Sequence, residues 1–402
     1  MITLDTLKQV IEAQKNNMLL KGIGQRREAL THLPDISSYA LIVSGVRRCG
    51  KSTLLYQLLN DRYQDGLYIN FEDPRLFGFD LQDFVRLDAA IAETNTKVLL
   101  FDEIQIIPNW ERYVRQKLDE SFKVIITGSN ASLLSKELGT KLTGRQITKE
   151  LFPFSYTEFV TNRKLENTEN HVNDYMHIGG FPEYVKQNYD EILQYILDDI
   201  LIRDIAVRYS IKDVHKLQQL ALHLLSNVGK PITANRLKSL IEVGSTNTVT
   251  EYLSYLEDSY LIQLIQKFDY SDRKQLVNPR KVYAIDTGLV SVNSTSYSKD
   301  SGRLLENLVF NHLRYKYRRI NYFKQIGECD FITFDKQEVQ EAVQVCYDLN
   351  QDNLKRELNG LVEAMKFFNL SKGTIVTYHQ TDHFVIDNRE IQVIPAFKWL
   401  IN

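Results

Sequence analysis

Residues 45–52 constrain the fold of this chain more than any other segment. They read GVRRCGKS, with two glycines separated by four residues and followed by Lys-Ser. The segment follows the apolar run ALIVS and precedes the helical run TLLYQLL, the order strand, loop, helix that this spacing requires. Short apolar runs alternate with helical patterns as far as residue 155, at residues 40–43, 67–71, 98–101 and 123–127. That alternation predicts an α/β fold with a parallel sheet covered by helices on both faces.

The same loop is suited to binding the phosphates of a nucleotide. Its glycines let backbone N–H groups turn toward the β- and γ-phosphates, and the following helix points its positive end at the anion. Lys51 would supply charge to the phosphates, and Ser52 a hydroxyl to Mg²⁺. Arg47 and Arg48 receive no catalytic role, because side chains of such a loop generally point away from phosphate. The predicted nucleotide-binding residues are Gly45, Val46, Arg47, Arg48, Cys49, Gly50, Lys51, Ser52 and Thr53.

Two carboxylates follow the apolar run Val98-Leu-Leu-Phe. A buried strand would deliver Asp102 and Glu103 to the carboxyl end of the sheet, where ligands bind in open α/β folds. We expect Asp102 to hold Mg²⁺ and Glu103 to act as the general base toward the water that attacks the γ-phosphate. The alternative is that the two acids merely begin a helix, whose N-terminus favours negative charge.

A third strand ends in Gly128-Ser129-Asn130, small polar residues that could contact the γ-phosphate. Ser129 and Asn130 are therefore predicted sensor residues, or else the N-cap of a helix at 131–138. Arg145 is a candidate arginine finger, in cis or from a neighbouring chain, with a surface ion pair as the alternative. Lys51, Glu103 and Arg145 make up the predicted catalytic set.

The composition indicates an ordered, soluble chain. Lys and Arg together number 49 against 51 Asp and Glu, so a net charge of −2 provides no whole-chain attraction for nucleic acid. Three cysteines are too few for a disulfide framework, and nowhere do 18 apolar residues follow one another. We expect a cytoplasmic protein without a membrane segment.

The chain is expected to have several domains. They are a nucleotide-binding domain with a lead-in helix at 1–155, a helical segment at 156–212, a winged-helix-like domain at 213–290 and a small α/β domain at 302–402. The winged-helix prediction rests on helices at 214–227, 233–242 and 246–258 with a two-stranded ribbon at 261–267 and 281–285. Polar residues 291–301 are the expected linker.

The chain resembles the AAA-type P-loop ATPases of bacteria and archaea that carry a C-terminal domain of unknown function. The resemblance rests on GVRRCGKS at 45–52, LLFDEIQ at 99–105, ITGSNASLL at 126–134, LTGR at 142–145, GGFPE at 179–183, RDI at 203–205 and TVTEYLSYLEDSYLI at 248–262. It implies a five-stranded parallel core, ATP as the nucleotide, a winged helix and a C-terminal domain related to the PD-(D/E)xK nuclease fold.

The C-terminal residues fit such a nuclease only in part. Glu306 and Asp330 fit its first two acidic positions, but the expected E-x-K is Gln344-Val-Cys346. Gln344 brings no negative charge, so one of the carboxylates that would hold a metal is missing. Cys346 cannot replace the ammonium group of the lysine that would activate water. We expect a degenerate nuclease-like fold retained for binding.

Basic residues on the predicted wing and on the second helix of the winged-helix-like domain could contact double-stranded DNA. Acidic residues lie among them, and the predicted recognition helix has no lysine or arginine. These two features argue for a protein-docking module instead. The basic residues are Arg236, Lys238, Lys267, Arg273, Lys274, Arg280 and Lys281.

The favoured function is a Mg²⁺-dependent ATP hydrolase that acts as a conformational switch. The alternatives are a nucleotide-gated DNA- or protein-binding module and an ATP-dependent nuclease. A homo-oligomer follows if Arg145 acts in trans.

Overall fold

The computed structural model describes residues 1–130, 144–294 and 300–401. The chain divides into two compact units. Unit 1 consists of Met1–Phe152 and Asp258–Tyr260, and unit 2 of Pro153–Glu257 and Leu261–Asn402. The described helices include none that is both long enough and apolar enough to cross a membrane.

Unit 1 contains a five-stranded sheet. Its strands are β1 (Ala40–Ser44), β2 (Leu67–Asn70), β3 (Val98–Asp102), β4 (Lys123–Gly128) and β5 (Gln146–Glu150). Their spatial order is β2-β3-β4-β1-β5 and every pair is parallel. All five residues of β1 and of β3 are buried, as expected for strands with helices on both faces. The predicted α/β fold with a parallel sheet is confirmed.

Helices cover this sheet. They are α1 (Leu4–Lys21), α2 (Ala29–His32), α3 (Lys51–Asp61), α4 (Asp83–Ala92) and α5 (Trp110–Asp119). Leu7 and Val10 of α1 lie in the same buried cluster as Ile42, Phe101 and Ile126 of the strands. Because β1, β3 and β4 are adjacent and parallel, the segments that follow them all meet at one edge of the sheet.

Unit 2 begins with helices. They are α6 (Tyr156–Arg163), α7 (Glu169–Ile178), α8 (Pro182–Gln187), α9 (Asp190–Asp199), a π-helix (Ile200–Val207) and α10 (Val214–Leu225). The turn between α7 and α8 is closed by the buried carboxylate of Asp286, which accepts a hydrogen bond from the Gly180 N–H at 2.6 Å. Gly179 has a φ of +72°, and a Cβ there would lie 2.1 Å from Asp286 Oδ1.

A three-stranded antiparallel sheet follows. Its elements are β6 (Pro231–Ile232), α11 (Ala234–Leu240), α12 (Thr246–Asp258), β7 (Ile262–Gln266), α13 (Asp272–Val277) and β8 (Arg280–Ala284), with strand order β6-β8-β7. The predicted ribbon is thus extended by β6, and a short helix joins β7 to β8. The linker prediction was wrong at its start, because residues 291–293 belong to α14 (Thr287–Asn293). Residues 295–299 lie outside the described residues.

The last part of unit 2 is a mixed six-stranded sheet with the order β13-β14-β12-β11-β10-β9. Its elements are α15 (Ser301–Lys316), β9 (Arg319–Lys324), β10 (Glu328–Asp335), β11 (Glu338–Val345), α16 (Leu354–Phe367), β12 (Lys372–Thr377), β13 (Asp382–Ile386), β14 (Arg389–Pro395) and α17 (Ala396–Trp399). Antiparallel pairs at both edges flank the parallel pairs β11-β12 and β12-β14.

Candidate functional site

The glycine-rich loop connects the buried strand β1 to the N-terminus of α3. Gly50 immediately precedes α3 with a left-handed φ of 102°, which few other residues adopt without strain. As a glycine, Gly50 has no side chain with which to cap the N-terminus of this helix. An uncapped helix N-terminus directs backbone N–H donors and positive dipole at whatever lies in front of it, so the loop suits an anion such as phosphate.

The loop is held by close contacts within unit 1. A Cβ on Gly45 would lie 2.1 Å from the Leu151 carbonyl oxygen, so only glycine fits there. The buried guanidinium of Arg27 donates to the carbonyl oxygens of Cys49 and Phe152, both at 2.7 Å. The sequence did not identify Arg27 as part of the site, because nothing in the local pattern distinguishes it from its exposed neighbour Arg26.

Lys51 is folded over the loop. Its Nζ donates to the carbonyl oxygens of Gly45 at 3.0 Å and Val46 at 3.2 Å, and it lies 3.6 Å from Glu103 Oε1. The side chain of Lys51 is only 5% exposed. The predicted base and the predicted phosphate-binding lysine therefore face each other across one small space.

Both acids after β3 lie at this edge of the sheet. Asp102 accepts hydrogen bonds from the Tyr68 hydroxyl at 2.6 Å and from the hydroxyl of Thr127. Glu103 donates its N–H to Thr127 Oγ1 at 3.1 Å and its carboxylate accepts from Gln105. Burial raises the pKa of Glu103; Lys51 opposes this rise and Asp102 adds to it.

Glu103 occupies a strained position. It has a φ of +54°, in the left-handed region, and it precedes the short 3₁₀ helix Ile104–Ile106. The alternative that the two acids begin a helix describes Glu103, which immediately precedes the 3₁₀ helix, but not Asp102, which is the last residue of a strand. A non-glycine residue held in this conformation is a frequent mark of a functional site.

Residues that could hold Mg²⁺ are the hydroxyl of Ser52, in the first turn of α3, and the carboxylate of Asp102. Hard oxygen ligands of this kind suit Mg²⁺. Across the described part of the chain, no group of three or more His, Cys, Asp and Glu side chains could hold a metal by itself. The residues thus fit an ion that is bound jointly with nucleotide phosphates, as Mg²⁺ commonly is.

The predicted sensor residues, Ser129 and Asn130, are buried directly after β4. Their role stays a prediction, and the helix expected at 131–138 lies outside the described residues. Thr127 and Tyr68, which the sequence did not indicate, both contact Asp102. Their importance depends on strand register, and a single sequence does not reveal which residues of neighbouring strands are adjacent.

Arg145 does not lie in the phosphate site of its own chain, which corrects the cis arginine-finger prediction. It immediately precedes β5, whose first residue, Gln146, pairs with Ala40 at the start of β1. The loop at 45–52 leaves the opposite end of β1, about 16 Å away at the rise of a strand. Arg145 instead forms a 2.7 Å ion pair with Asp119.

The C-terminal candidates are adjacent to one another. Asp330 on β10 donates its N–H to Gln344 Oε1 at 3.2 Å and accepts from the Val345 N–H at 3.1 Å. Lys281 lies between the carboxylates of Asp330 and Glu306. The prediction that Lys281, as a basic residue of the wing, could contact DNA was wrong, because its side chain is 4% exposed and its charge is paired.

In unit 1, Arg27, Lys51, Asp102 and Glu103 thus lie around a loop that suits phosphate binding. Residues 37–160 match the family model described as "AAA domain", and residues 169–297 match "Domain of unknown function (DUF8612)". The fold and the site define a P-loop protein with an AAA-type domain.

Two relatives extend over nearly the whole chain. The uncharacterized protein MJ1544 of Methanocaldococcus jannaschii is 35% identical over 395 residues, 89% of this chain and 87% of that one. An uncharacterized protein of Haemophilus influenzae is 30% identical over 391 residues, 91% of this chain and 95% of that one. The chain belongs to the family of these proteins. The crystal structure of Cdc6p from Pyrobaculum aerophilum matches with 14% identity and a TM-score of 0.26, over 65% of this chain and 86% of that one.

Proposed function

We propose that the protein is a Mg²⁺-dependent ATP hydrolase whose reaction takes place at the edge of the unit 1 sheet. The observation that carries this proposal is the 3.6 Å approach of Lys51 Nζ to Glu103 Oε1 over the phosphate-binding loop. A site that only held a nucleotide would need Lys51 but not a buried glutamate beside it. The AAA-type domain supports ATP as the nucleotide rather than another nucleoside triphosphate.

In the proposed reaction, Lys51 and Glu103 would exchange their interaction partners when the nucleotide binds. Lys51 would leave the carbonyl oxygens of Gly45 and Val46 and bind the β- and γ-phosphates. Glu103, released from Lys51, would orient the attacking water and accept its proton. Mg²⁺, when bound by Ser52 and Asp102 with the phosphates, supplies positive charge against the charge that develops on them. The exchange between Lys51–Glu103 and Lys51–phosphate is the proposed conformational switch.

Steady-state ATP hydrolysis with Mg²⁺ tests this function. We expect E103Q to lower kcat about 100-fold or more while retaining ATP binding, and K51A to lose binding. The matched control is E93Q, the same change at an exposed glutamate paired with Lys8, which should leave kcat near the wild-type value. Wild-type turnover by K51A or E103Q would contradict the proposal. Tight ATP binding without turnover would instead favour a nucleotide-gated binding module.

The element order of unit 2 supports two finer proposals. Three helices, α10, α11 and α12, followed by β7 and β8, with β6 after the first helix, fit a winged helix. The series α15, β9, β10, β11, α16, β12 fits a nuclease-like fold. DNA would have to be bound by the remaining basic residues, Arg236, Lys238, Lys267, Arg273, Lys274 and Arg280.

Double-stranded DNA added to the ATPase assay tests that partner. If the surface binds DNA, turnover rises with DNA, the effect weakens steeply with salt, and the double variant R273Q/K274Q reduces it. A trans role of Arg145, and with it a homo-oligomer, is tested in the same assay by R145A, which should lower turnover without unfolding the chain. Unchanged turnover by R145A would exclude the trans role.

A further inference from the structure

A cavity of about 410 Å³ lies within unit 2. Residues of α7, α8, α9, α10, α14 and α15 line it, together with residues of the loop between α10 and β6. Pockets that bind small molecules typically measure about 300–1,000 Å³ and form where several elements meet. The cavity therefore has the size and the position of a small-molecule site, and it lies outside the unit that contains the proposed ATPase site.

Part of the lining is apolar. The apolar aliphatic side chains that line the cavity are Leu225, Val228, Val290, Val292 and Leu304. Four of them, all except Val292, are buried in the protein and so form a firm wall. Contact with this wall would remove an apolar group of a ligand from water. The wall thus favours a molecule with a hydrocarbon or ring portion over a bare inorganic ion.

Lys230 brings a positive charge to the same cavity. Its Nζ donates to the neutral side-chain oxygen of Asn227 at 2.7 Å, and no carboxylate of the described residues forms an ion pair with it. Burial lowers the pKa of Lys230, and the nearby guanidinium groups of Arg303 and Arg236 lower it further, although Asp300 opposes them. An anion bound beside Lys230 would relieve the repulsion among these cations.

The acidic residues that line the cavity have partners of their own. Asp190 accepts a hydrogen bond from the Tyr184 hydroxyl at 2.6 Å. Asp300 caps α15 by accepting from the Arg303 N–H, and it also pairs with Arg303 Nε at 3.0 Å. Within the described part of the chain, this pairing leaves the two Nη groups of Arg303 able to donate to a ligand. The cavity therefore combines an apolar wall with two cationic groups that suit an oxyanion.

We propose that this cavity binds a small organic anion, whose charged group contacts Lys230 and Arg303 and whose apolar portion packs against Leu225, Val228 and Leu304. Organic carboxylates and phosphate esters share this chemistry, an oxyanion attached to a hydrocarbon or ring. The proposal does not depend on ATP hydrolysis, because the cavity shares no residue with the phosphate loop or with the two acids of unit 1.

Fluorescence titration of the full chain with anilinonaphthalene sulfonate tests the proposal. This dye joins an anionic group to an apolar ring system and becomes fluorescent when it leaves water. We expect K230M and R303Q each to weaken dye binding about tenfold, the loss expected for one hydrogen bond to a charged group, and K230R to retain it. The matched control is K372M, at a lysine whose side chain is 80% exposed, which should bind the dye like the wild type.

Competition identifies the class of ligand. Displacement of the dye by octanoate alone would assign a carboxylate, displacement by phenyl phosphate alone would assign a phosphate ester, and displacement by both would show that the cavity selects charge with an apolar portion. K51A alters the phosphate loop and should leave dye binding unchanged, so this result stands whether or not the chain hydrolyses ATP.

Four results would overturn the proposal. They are a wild-type chain that binds no dye, dye binding that K230M and R303Q both leave at full strength, binding that neither competitor reduces, and binding that K51A abolishes. Circular dichroism shows which variants are folded. Because Lys230 and Arg303 lie on separate elements, R303Q carries the test if K230M does not fold.

Discussion

At the residue scale, the hydroxyl of Thr127 connects the two acids of the candidate ATPase site. It accepts from the Glu103 N–H and donates to Asp102. T127V keeps the shape but removes both hydrogen bonds, so we expect a loss of about 1–3 kcal/mol in the free energy of unfolding and a lower kcat. Urea unfolding and ATPase assays measure the two effects. T127S retains the hydroxyl and should recover both, and failure of that rescue would assign the effect to the methyl group.

Glu103 makes the stability of the chain depend on pH. Its folded-state pKa is raised, so the stability it contributes is fully present below its ordinary pKa and is lost as pH rises through the raised value. E103Q stays neutral at every pH. We therefore expect E103Q to unfold at higher urea concentration than the wild type at neutral pH, and the difference to shrink as the solution is acidified. A difference independent of pH would contradict this assignment.

The same raised pKa affects the reaction. A general base must be deprotonated, so wild-type kcat/KM should fall with acidification at a higher pH than an ordinary glutamate would impose. The pH profile of kcat/KM for the free enzyme measures this.

At the scale of elements, the turn between α7 and α8 depends on glycine for two reasons. Gly179 has a left-handed φ, and its Cα lies against the buried carboxylate of Asp286. We expect G179A to lower the free energy of unfolding by more than about 2 kcal/mol, measured by urea unfolding. G78A is the control, because Gly78 also has a left-handed φ of +81° but open space around it. Equal losses in both variants would show that the contact with Asp286 contributes nothing.

The sequence predicted which segments form strands and helices better than it predicted which side chains contact one another. The apolar runs that became β1 to β4 have the pattern of buried parallel strands, so the sheet and the loop at 45–52 could be foreseen. The partners of Asp102 could not, because Tyr68 and Thr127 come from separate strands whose register depends on tertiary packing. The role of Lys281 was mispredicted for the same reason. A lysine is expected to lie at the surface, and only tertiary packing brings the carboxylates of other elements around it.

At the scale of the whole molecule, unit 1 takes three residues from far along the chain. Tyr260 donates its hydroxyl to Ser44 Oγ at 2.7 Å, across 216 positions of sequence, and Ser44 immediately precedes the phosphate loop. Nothing in the sequence around Asp258–Tyr260 distinguishes these residues from the rest of a helix end, so division of the chain by sequence pattern assigns them to the wrong unit.

This hydrogen bond is testable by a double-mutant cycle. Y260F and S44A should each lower the free energy of unfolding by about 1 kcal/mol, and the double variant should lose less than the sum, because both remove one interaction. Y270F, at a tyrosine that is 79% exposed, is the control and should be neutral. Strictly additive losses would show that the two hydroxyls do not interact.

The insertion of Asp258–Tyr260 into unit 1 also orders events in time. During translation, residues 153–257 must leave the ribosome before the segment that completes unit 1 appears. At about 5–20 residues per second, roughly 5–20 s separate the synthesis of Phe152 from that of Tyr260. The phosphate loop is thus synthesised well before Tyr260, the hydrogen-bond partner of Ser44, so unit 1 is incomplete when its phosphate loop emerges.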